Sequence, residues 1–300
     1  MRPWSMAGLA WLLATSAQAA SWSPDGSQIA YSYIGGPENI YLVDVGSGVS
    51  RALVVREQRD FQPEWAVDGS HLVFTGVENG VHVMMRVQPD GSGLQALSEP
   101  ALAAGDPDYS PNGKQLLYFS DEPLPRDLYL RDLASHRVTA LTRTPDFDEA
   151  SPRWAPDGDW VVYVGKPRMD DAQGDIWIRQ ISTGAMRNLT NSPKVSEFHP
   201  DWAPDGRRVI YVRSDGDGFS LAIYDLDQQR ETIIADGHGY AVLSPHFAPD
   251  GERVAFVRTD FNEQGPNMPA LMVLDLRTGR ERLLSQGRYL SQVGPDHSSD

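Results

Sequence analysis

Four acidic side chains and two histidines lie within three residues of prolines that recur along the sequence, three of the acids at one register, and they are the residues best placed to do chemistry. Asp60, Glu149 and Glu197 each precede a proline (Pro63, Pro152, Pro200) by three residues, and Asp106 directly precedes Pro107. His199 and His246 flank Pro200 and Pro245, and His238 lies just ahead, so these three imidazoles are expected to approach one another. Carboxylates recurring at one register should form a ring, and such a ring would receive a basic or amine-bearing group or a cation. The alternative is that each acid bonds backbone amides of the neighbouring unit. Clustered imidazoles are also metal donors, but the seven histidines (71, 82, 136, 199, 238, 246, 297) do not recur in register, so no metal site or cofactor is expected. The run Asp215-Gly216-Asp217-Gly218 has the look of a calcium loop but lacks its later Glu and reads as a turn. No GxSxG elbow, HExxH helix or Gly-rich phosphate loop occurs, so no catalytic residue is assigned and a non-enzyme is expected.

The elements that must position these residues are copies of one another. Trp202-Ala-Pro-Asp-Gly206 has turn chemistry: Pro fixes φ, Asp bonds its own backbone, and Gly accepts positive φ. The same signal recurs around Trp22, Trp65, Tyr109, Trp154 and Phe247, with its glycines at 26, 69, 113, 158, 206 and 251. A spacing of 43 to 48 residues, filled with short β-branched and aromatic runs, predicts an all-β six-bladed β-propeller of four-stranded antiparallel blades. The blades are expected at about 21–58, 59–102, 103–147, 148–195, 196–240 and 241–285. The recurring aromatic reads as a wedge between blades rather than as a ligand-stacking ring. No stretch has a helical period.

Composition sets outer limits. A formal charge of −15 excludes nucleic acid as a natural partner, since phosphate binding needs a basic footprint. Residues 1–19 read as a signal peptide: Arg2, an apolar run over Met6–Ala14, and the small-x-small site Ala17-Gln18-Ala19. Nine apolar residues cannot span a bilayer, so the expectation is an exported, periplasmic or secreted protein that is not membrane-embedded. The absence of cysteine excludes disulfides, thiolate metal sites and a lipid-bearing Cys.

The motif Pro-x-Trp-Ser/Ala-Pro-Asp-Gly, an Ile-Ala-Tyr-like run, Ile-Tyr-Leu-x-Asp-Leu and Leu-Thr resembles the WD40-like repeat of the TolB-type β-propellers. It is matched in six units from Ser21 to about Ser285; the departures are Val67 for Pro, Asn112 for Asp, and Arg86 and Gln180 at the Asp place of the third strand. The resemblance implies a protein-interaction propeller of the cell envelope that docks a peptidoglycan-associated lipoprotein of the Pal kind at its channel mouth. TolB itself resembles an α/β domain followed by the propeller. In this chain the signal runs straight into the first blade, so a TolB-like N-terminal part is not expected and a role with TolA is in doubt. Some propellers resembling this family are oligogalacturonate lyases holding a metal with histidines; a metal-dependent carbohydrate-active enzyme is therefore the alternative function. The expected partner-binding residues are Asp60, Asp106, Glu149, Glu197, His199 and His246, in a monomer. The loops between second and third strands, longest at Lys166–Gly174 and Asp260–Pro269, share a face with the connections between blades and are the expected binding face. The tail 286–300, through Tyr289–Pro295, is expected to close the ring beside the first strand without a shared strand.

Overall fold

Each repeat begins with the same hydrogen-bonded corner. In the turns after the wedge aromatics, Gly26, Gly69, Gly113, Gly158, Gly206 and Gly251 all have φ between 67° and 74°, a region that a side chain on Cβ disfavours. The Asp ahead of each glycine accepts a backbone N–H two residues on, as Asp25 does from Ser27 at 3.0 Å and Asp205 from Arg207 at 2.8 Å. Asn112 keeps the bond, accepting from Lys114 at 2.9 Å, which is why that departure from the repeat is harmless. The third strands end in a second cap: Asp44, Asp132, Asp225 and Asp275 accept the N–H three residues on at 2.7 to 2.8 Å.

The computed structural model describes residues 20–32, 38–97, 104–120, 125–169, 172–237, 239–262, 265–266 and 269–286. These form six antiparallel sheets and, among the described residues, no helix. Blade 1 is β1 (Ala20–Trp22), β2 (Gln28–Ser32), β3 (Ile40–Asp44) and β4 (Ser50–Val54). Blade 2 is β5 (Asp60–Trp65), β6 (Leu72–Glu78), β7 (Val81–Val87) and β8 (Gln95–Ala96). Blade 3 is β9 (Ala104–Tyr109), β10 (Gln115–Ser120), β11 (Asp127–Asp132) and β12 (Val138–Ala140). Blade 4 is β13 (Phe147–Trp154), β14 (Trp160–Pro167), β15 (Asp175–Gln180) and β16 (Met186–Asn188). Blade 5 is β17 (Ser196–Trp202), β18 (Arg208–Ser214), β19 (Phe219–Asp225) and β20 (Arg230–Asp236). Blade 6 is β21 (Tyr240–Phe247), β22 (Arg253–Asn262), β24 (Ala270–Asp275) and β25 (Arg280–Gln286), with β23 (Gly265–Pro266) paired back on β22. The two longest loops between second and third strands, expected at Lys166–Gly174 and Asp260–Pro269, are partly ladder: β14 runs through Lys166 and Pro167, and β22 continues to Asn262.

The second strands are buried on both faces, as Val209, Ile210, Tyr211 and Val212 show at 0% exposure, because a neighbouring blade covers each side. The outermost strands, such as β20, are largely exposed. The wedge aromatics hold the blades together. Trp22 packs with Ala248, Ala255 and Leu271 of blade 6, Trp65 with Ile40 and Leu42 of blade 1, and Trp202 with Val162 and Ile176 of blade 4. Burying an indole removes some 150–250 Å² from water, so these rings supply much of the cohesion between blades.

Blade 1 meets blade 6 through this same device. β1 lies against β21 and β22, the Trp22 indole N–H donates to the His246 carbonyl at 3.2 Å, and the Arg253 guanidinium sits 4.9 Å above the Trp22 ring. All four strands of each of these blades come from one end of the described chain, so the ring closes with no exchanged strand among the described residues. The signal segment 1–19 and the tail beyond Gln286, including Tyr289–Pro295, lie outside the described residues.

Candidate functional site: the central channel

The innermost strands line the axis, and five of them carry the same irregularity. The residue before the proline is left-handed in each: Gln62 (φ 53°), Asp106 (57°), Ser151 (50°), His199 (51°) and Ser244 (48°). Proline disfavours the right-handed helical region for the residue ahead of it, and a bulge in the ladder to the second strand accommodates the left-handed turn. The equivalent place in blade 1 is Ala19, outside the described residues. These five residues line one narrow cavity together with Arg153, Pro200 and His246. Its free volume is about 10 Å³, room for about one water.

A second tier lies two residues further along, immediately before each wedge aromatic: Ser21, Glu64, Asp108, Arg153, Asp201 and His246. The tier alternates around the ring. In blades 1, 3 and 5 a short acceptor takes the aromatic's backbone N–H from the next blade: Ser21 from Trp65 at 3.2 Å, Asp108 from Trp154 at 2.6 Å, and Asp201 from Phe247 at 2.8 Å. In blades 2, 4 and 6 the longer Glu64, Arg153 and His246 occupy that register. Ser21 Oγ donates to Glu64 at 3.0 Å, Arg153 donates to Asp106 through both terminal nitrogens at 3.1 Å, and His246 Nδ1 lies 3.7 Å from Asp201. Inter-blade bonds also reach the first tier: the Asp106 N–H donates to Gln62 at 3.1 Å, and the Ser244 N–H to His199 Nδ1 at 3.3 Å.

Burial dominates the electrostatics here. It pushes Asp108 up to about 6, with Arg153 and the Trp154 N–H pulling the other way, and Asp201 up to about 7, opposed by the Phe247 N–H and Arg153. Glu64 is held well above the usual carboxylate range by burial and by Asp108. His246 is held well below the usual imidazole value by burial and then by Arg153, and is neutral near pH 7. Arg153 is thus the cation about which Asp106, Asp108, Glu64 and Asp201 are arranged.

The acids expected at the mouth do share one register, but their side chains are withdrawn from solvent. Asp60 is buried and held by the Arg56 guanidinium, which donates from Nε at 3.1 and 3.0 Å; burial still raises it above the usual range. Glu149 accepts from the Thr142 and Thr144 hydroxyls, the latter at 2.9 Å, and burial lifts it to about 7. Glu197 is lifted to about 8 by burial, the nearby Ser192 and Thr190 hydroxyls offsetting part of it; neither carboxylate oxygen makes a well-formed hydrogen bond. Asp106, His199 and His246 reach the cavity itself, whereas His238 lies outside the described residues. Among the described residues no three of His, Asp and Glu are grouped as metal donors. The spacing of Asp60, Glu149 and Glu197 did not reveal the second tier; the signal was the residue before the aromatic, polar in all six repeats (Ser, Glu, Asp, Arg, Asp, His).

A closed ring of six four-stranded blades around a polar axis defines a β-propeller. A family model described as the TolB beta propeller domain matches residues 13–133 and 103–240, and the chain belongs to that family. It is 32% identical over 159 residues to an uncharacterized protein of Agrobacterium fabrum, an alignment that covers 48% of this chain and 53% of the relative. The chain thus aligns with about half the length of that relative. Among solved structures it resembles TolB from Acinetobacter baumannii (TM-score 0.69, 18% identity, 90% of this chain and 64% of that one). It also resembles an oligogalacturonate lyase in complex with manganese (TM-score 0.61, 18% identity, 92% of this chain and 78% of that one). Both likenesses are of fold.

Proposed function

We propose that this chain is an exported, non-catalytic binding scaffold that presents one face of its ring to a protein of the cell envelope, in the periplasm. The observation that carries the reading is how tightly the axis is packed among the described residues: second-tier groups are joined across blades, and the cavity beside them, lined by Asp106, Arg153, His199 and His246, admits about one water. Recognition then falls to the face where the bulged strands begin, beside the loops between second and third strands. These loops vary: Asn79-Gly80 is a two-residue turn with both φ positive, Asp215–Gly218 is longer, and the blade 4 loop carries Met169 at 69% exposure. Variable loops on a rigid frame are the usual seat of binding. A lipoprotein of the Pal kind is the partner that membership in the family suggests, and the leader-like residues 1–19 support export. Among the described residues no helix is long and apolar enough to cross a membrane.

The second reading, an enzyme acting on a carbohydrate at the channel, is favoured by His199 and His246 lining one cavity and by the lyase likeness of fold. A photo-crosslinking residue at Met169, on the loop face, and another at Ser47, in a turn of the opposite face, separate the two. Capture of one discrete envelope protein from position 169 and not from 47 supports the scaffold. Turnover of an oligogalacturonate abolished by His246→Gln, with no capture from either position, supports the enzyme.

A further inference from the structure

A pocket away from the axis, on the side of blade 4 that packs toward blade 3, combines features that the scaffold reading does not use. It has a free volume of about 50 Å³ and is lined by Phe147, Tyr163, Trp177 and Met186 around Glu149. Phe147 and Trp177 meet nearly at right angles, with planes at 80° and centroids 6.1 Å apart, which makes two walls of a box. Thr144, from the connection between the blades, closes a third side. Gly165 is what lets the indole lie flat on its strand, since a Cβ there would stand 2.9 Å from Trp177 Cδ1. The Tyr163 hydroxyl is turned to Met186 Sδ at 3.6 Å, and the Trp177 indole N–H is buried without a hydrogen-bond acceptor.

The repeat itself indicates what such a pocket holds. Glu149 pairs across the ladder with Gly165, and at the same register of blade 2 Asp60 pairs with Gly76. In blade 2 the space beside that glycine is taken by a guanidinium: a Cβ on Gly76 would lie 2.5 Å from Arg56 Nη2, and Arg56 chelates Asp60 from four residues upstream. Four residues upstream of Glu149 the chain has Pro145, and the nearby Arg143 is exposed. One copy of this acid-and-glycine niche is therefore filled by the chain's own cation, and in the other aromatic walls surround a place that a foreign cation would occupy.

We propose that the blade 4 pocket binds an alkylammonium group, the charged end seated against Glu149 and the methylenes or N-methyls against Phe147, Tyr163 and Trp177. Aromatic faces attract cations through the ring quadrupole, and the attraction grows when water is excluded. Glu149 uses acceptor capacity on Thr142 and Thr144, and a carboxylate retains further lone pairs for a donor. The other charged groups acting on it are Asp127 of blade 3, which disfavours its ionisation, and Arg179 of β15, which favours it. With Glu149 pushed up to about 7 by burial, an arriving cation ionises it and releases a proton near neutral pH. Affinity therefore rises with pH through that range, while the alkylammonium stays charged throughout.

The test is calorimetric titration of the full chain with n-butylammonium, with 1-butanol as the neutral counterpart and a lysine-bearing tripeptide as the peptide form of the same group. The expected result is saturable binding of butylammonium with a Kd on the order of 1 mM, within reach of five heavy atoms. It should tighten roughly tenfold or more from pH 5.5 to pH 8 and release protons detected by comparing two buffers at pH 7. Glu149→Gln should weaken binding at least about tenfold and abolish the pH dependence. Trp177→Leu, farther from the interior, should weaken it without moving the pH midpoint, and it keeps the test alive should Glu149→Gln fail to fold. The tripeptide binding as well as butylammonium assigns the pocket to a protein's lysine; butylammonium alone assigns it to a free amine. No saturation by butylammonium, equal binding of 1-butanol, or unchanged affinity in Trp177→Leu would overturn the proposal. None of these outcomes depends on capture at Met169, so this pocket and the scaffold reading fail separately.

Discussion

Removing the guanidinium at the centre of the channel, by Arg153→Met, should be among the most damaging single changes to the ring. Arg153 is 8% exposed, donates at 3.1 Å from two nitrogens to Asp106, which is 4% exposed, and at 2.8 Å to the Pro152 carbonyl. Methionine fills much of the volume but leaves Asp106 as a buried charge without its partner, for which broken buried pairs cost about 3–5 kcal/mol. For a domain of this size about 4 kcal/mol lowers Tm by roughly 10 °C. The loss should depend on pH with a definite sign. Asp108 and Asp201 sit at about 6 and about 7 with Arg153 helping to hold them down, so without it both rise further. A carboxyl whose folded pKa lies above its unfolded value loses stability as pH climbs through that interval. The variant should therefore be weakened more at pH 8.5 than at pH 5. Urea unfolding followed by tryptophan fluorescence at both pH values measures this, and Arg153→Met with Asp106→Asn should regain part of the loss because the stranded charge is gone. A loss under about 1 kcal/mol, well short of the buried-pair range, an equal loss at the two pH values, or no recovery in the double variant would refute the reasoning.

The wild-type protein should itself become less stable from about pH 5 to pH 8.5, because Asp108, Asp201, Glu149 and Glu197 all have folded values raised to between about 6 and about 8; thermal melts across that range would show a falling midpoint. On the acid side, Asp25 is held at about 2 by the Ser23 and Ser27 hydroxyls and the Ser27 N–H, so its contribution fades only as pH falls from about 4 toward 2, and Asp25→Asn should flatten that limb of the curve. Trp202→Ala empties the wedge between blades 4 and 5 and should cost about 3–5 kcal/mol in urea unfolding. Gly206→Ala meets no atom within 4 Å but must hold a φ of 69°, so its loss should stay near 1–2 kcal/mol.

The architecture was legible because one chemical device is written six times. Proline, Asp and Gly specify the corner wherever they occur, and the aromatic two or three places earlier specifies the wedge, so blade number follows from counting glycines. Side-chain direction was not legible to the same degree. The register of Asp60, Glu149 and Glu197 follows from their distance to the proline, yet the bulge at the next residues decides what faces the axis. That bulge sends Gln62, Asp106 and His199 to the cavity while Asp60 folds back on Arg56. Nor does the period disclose an alternation between neighbouring blades. Ser21, Asp108 and Asp201 cap the next strand because they are short, and Glu64, Arg153 and His246 fill the axis because they are long, a contrast visible only once the six copies stand in a circle.

The scaffold reading requires that the loop face be held by a ring whose first and last blades touch, and the cysteine-free sequence makes this directly measurable. Tyr31 Oη shares hydrogen bonds with Ser50 Oγ of blade 1 and, at 3.1 Å, with Ser285 Oγ of blade 6, so the two serines face one another across the closure. With Ser50→Cys and Ser285→Cys in one chain, a short bis-methanethiosulfonate cross-linker, which forms a disulfide with each thiol as methanesulfinate leaves, should join them rapidly and quantitatively in the native protein and not in urea. Failure to cross-link in the native state, with both thiols reactive, would contradict the closed ring.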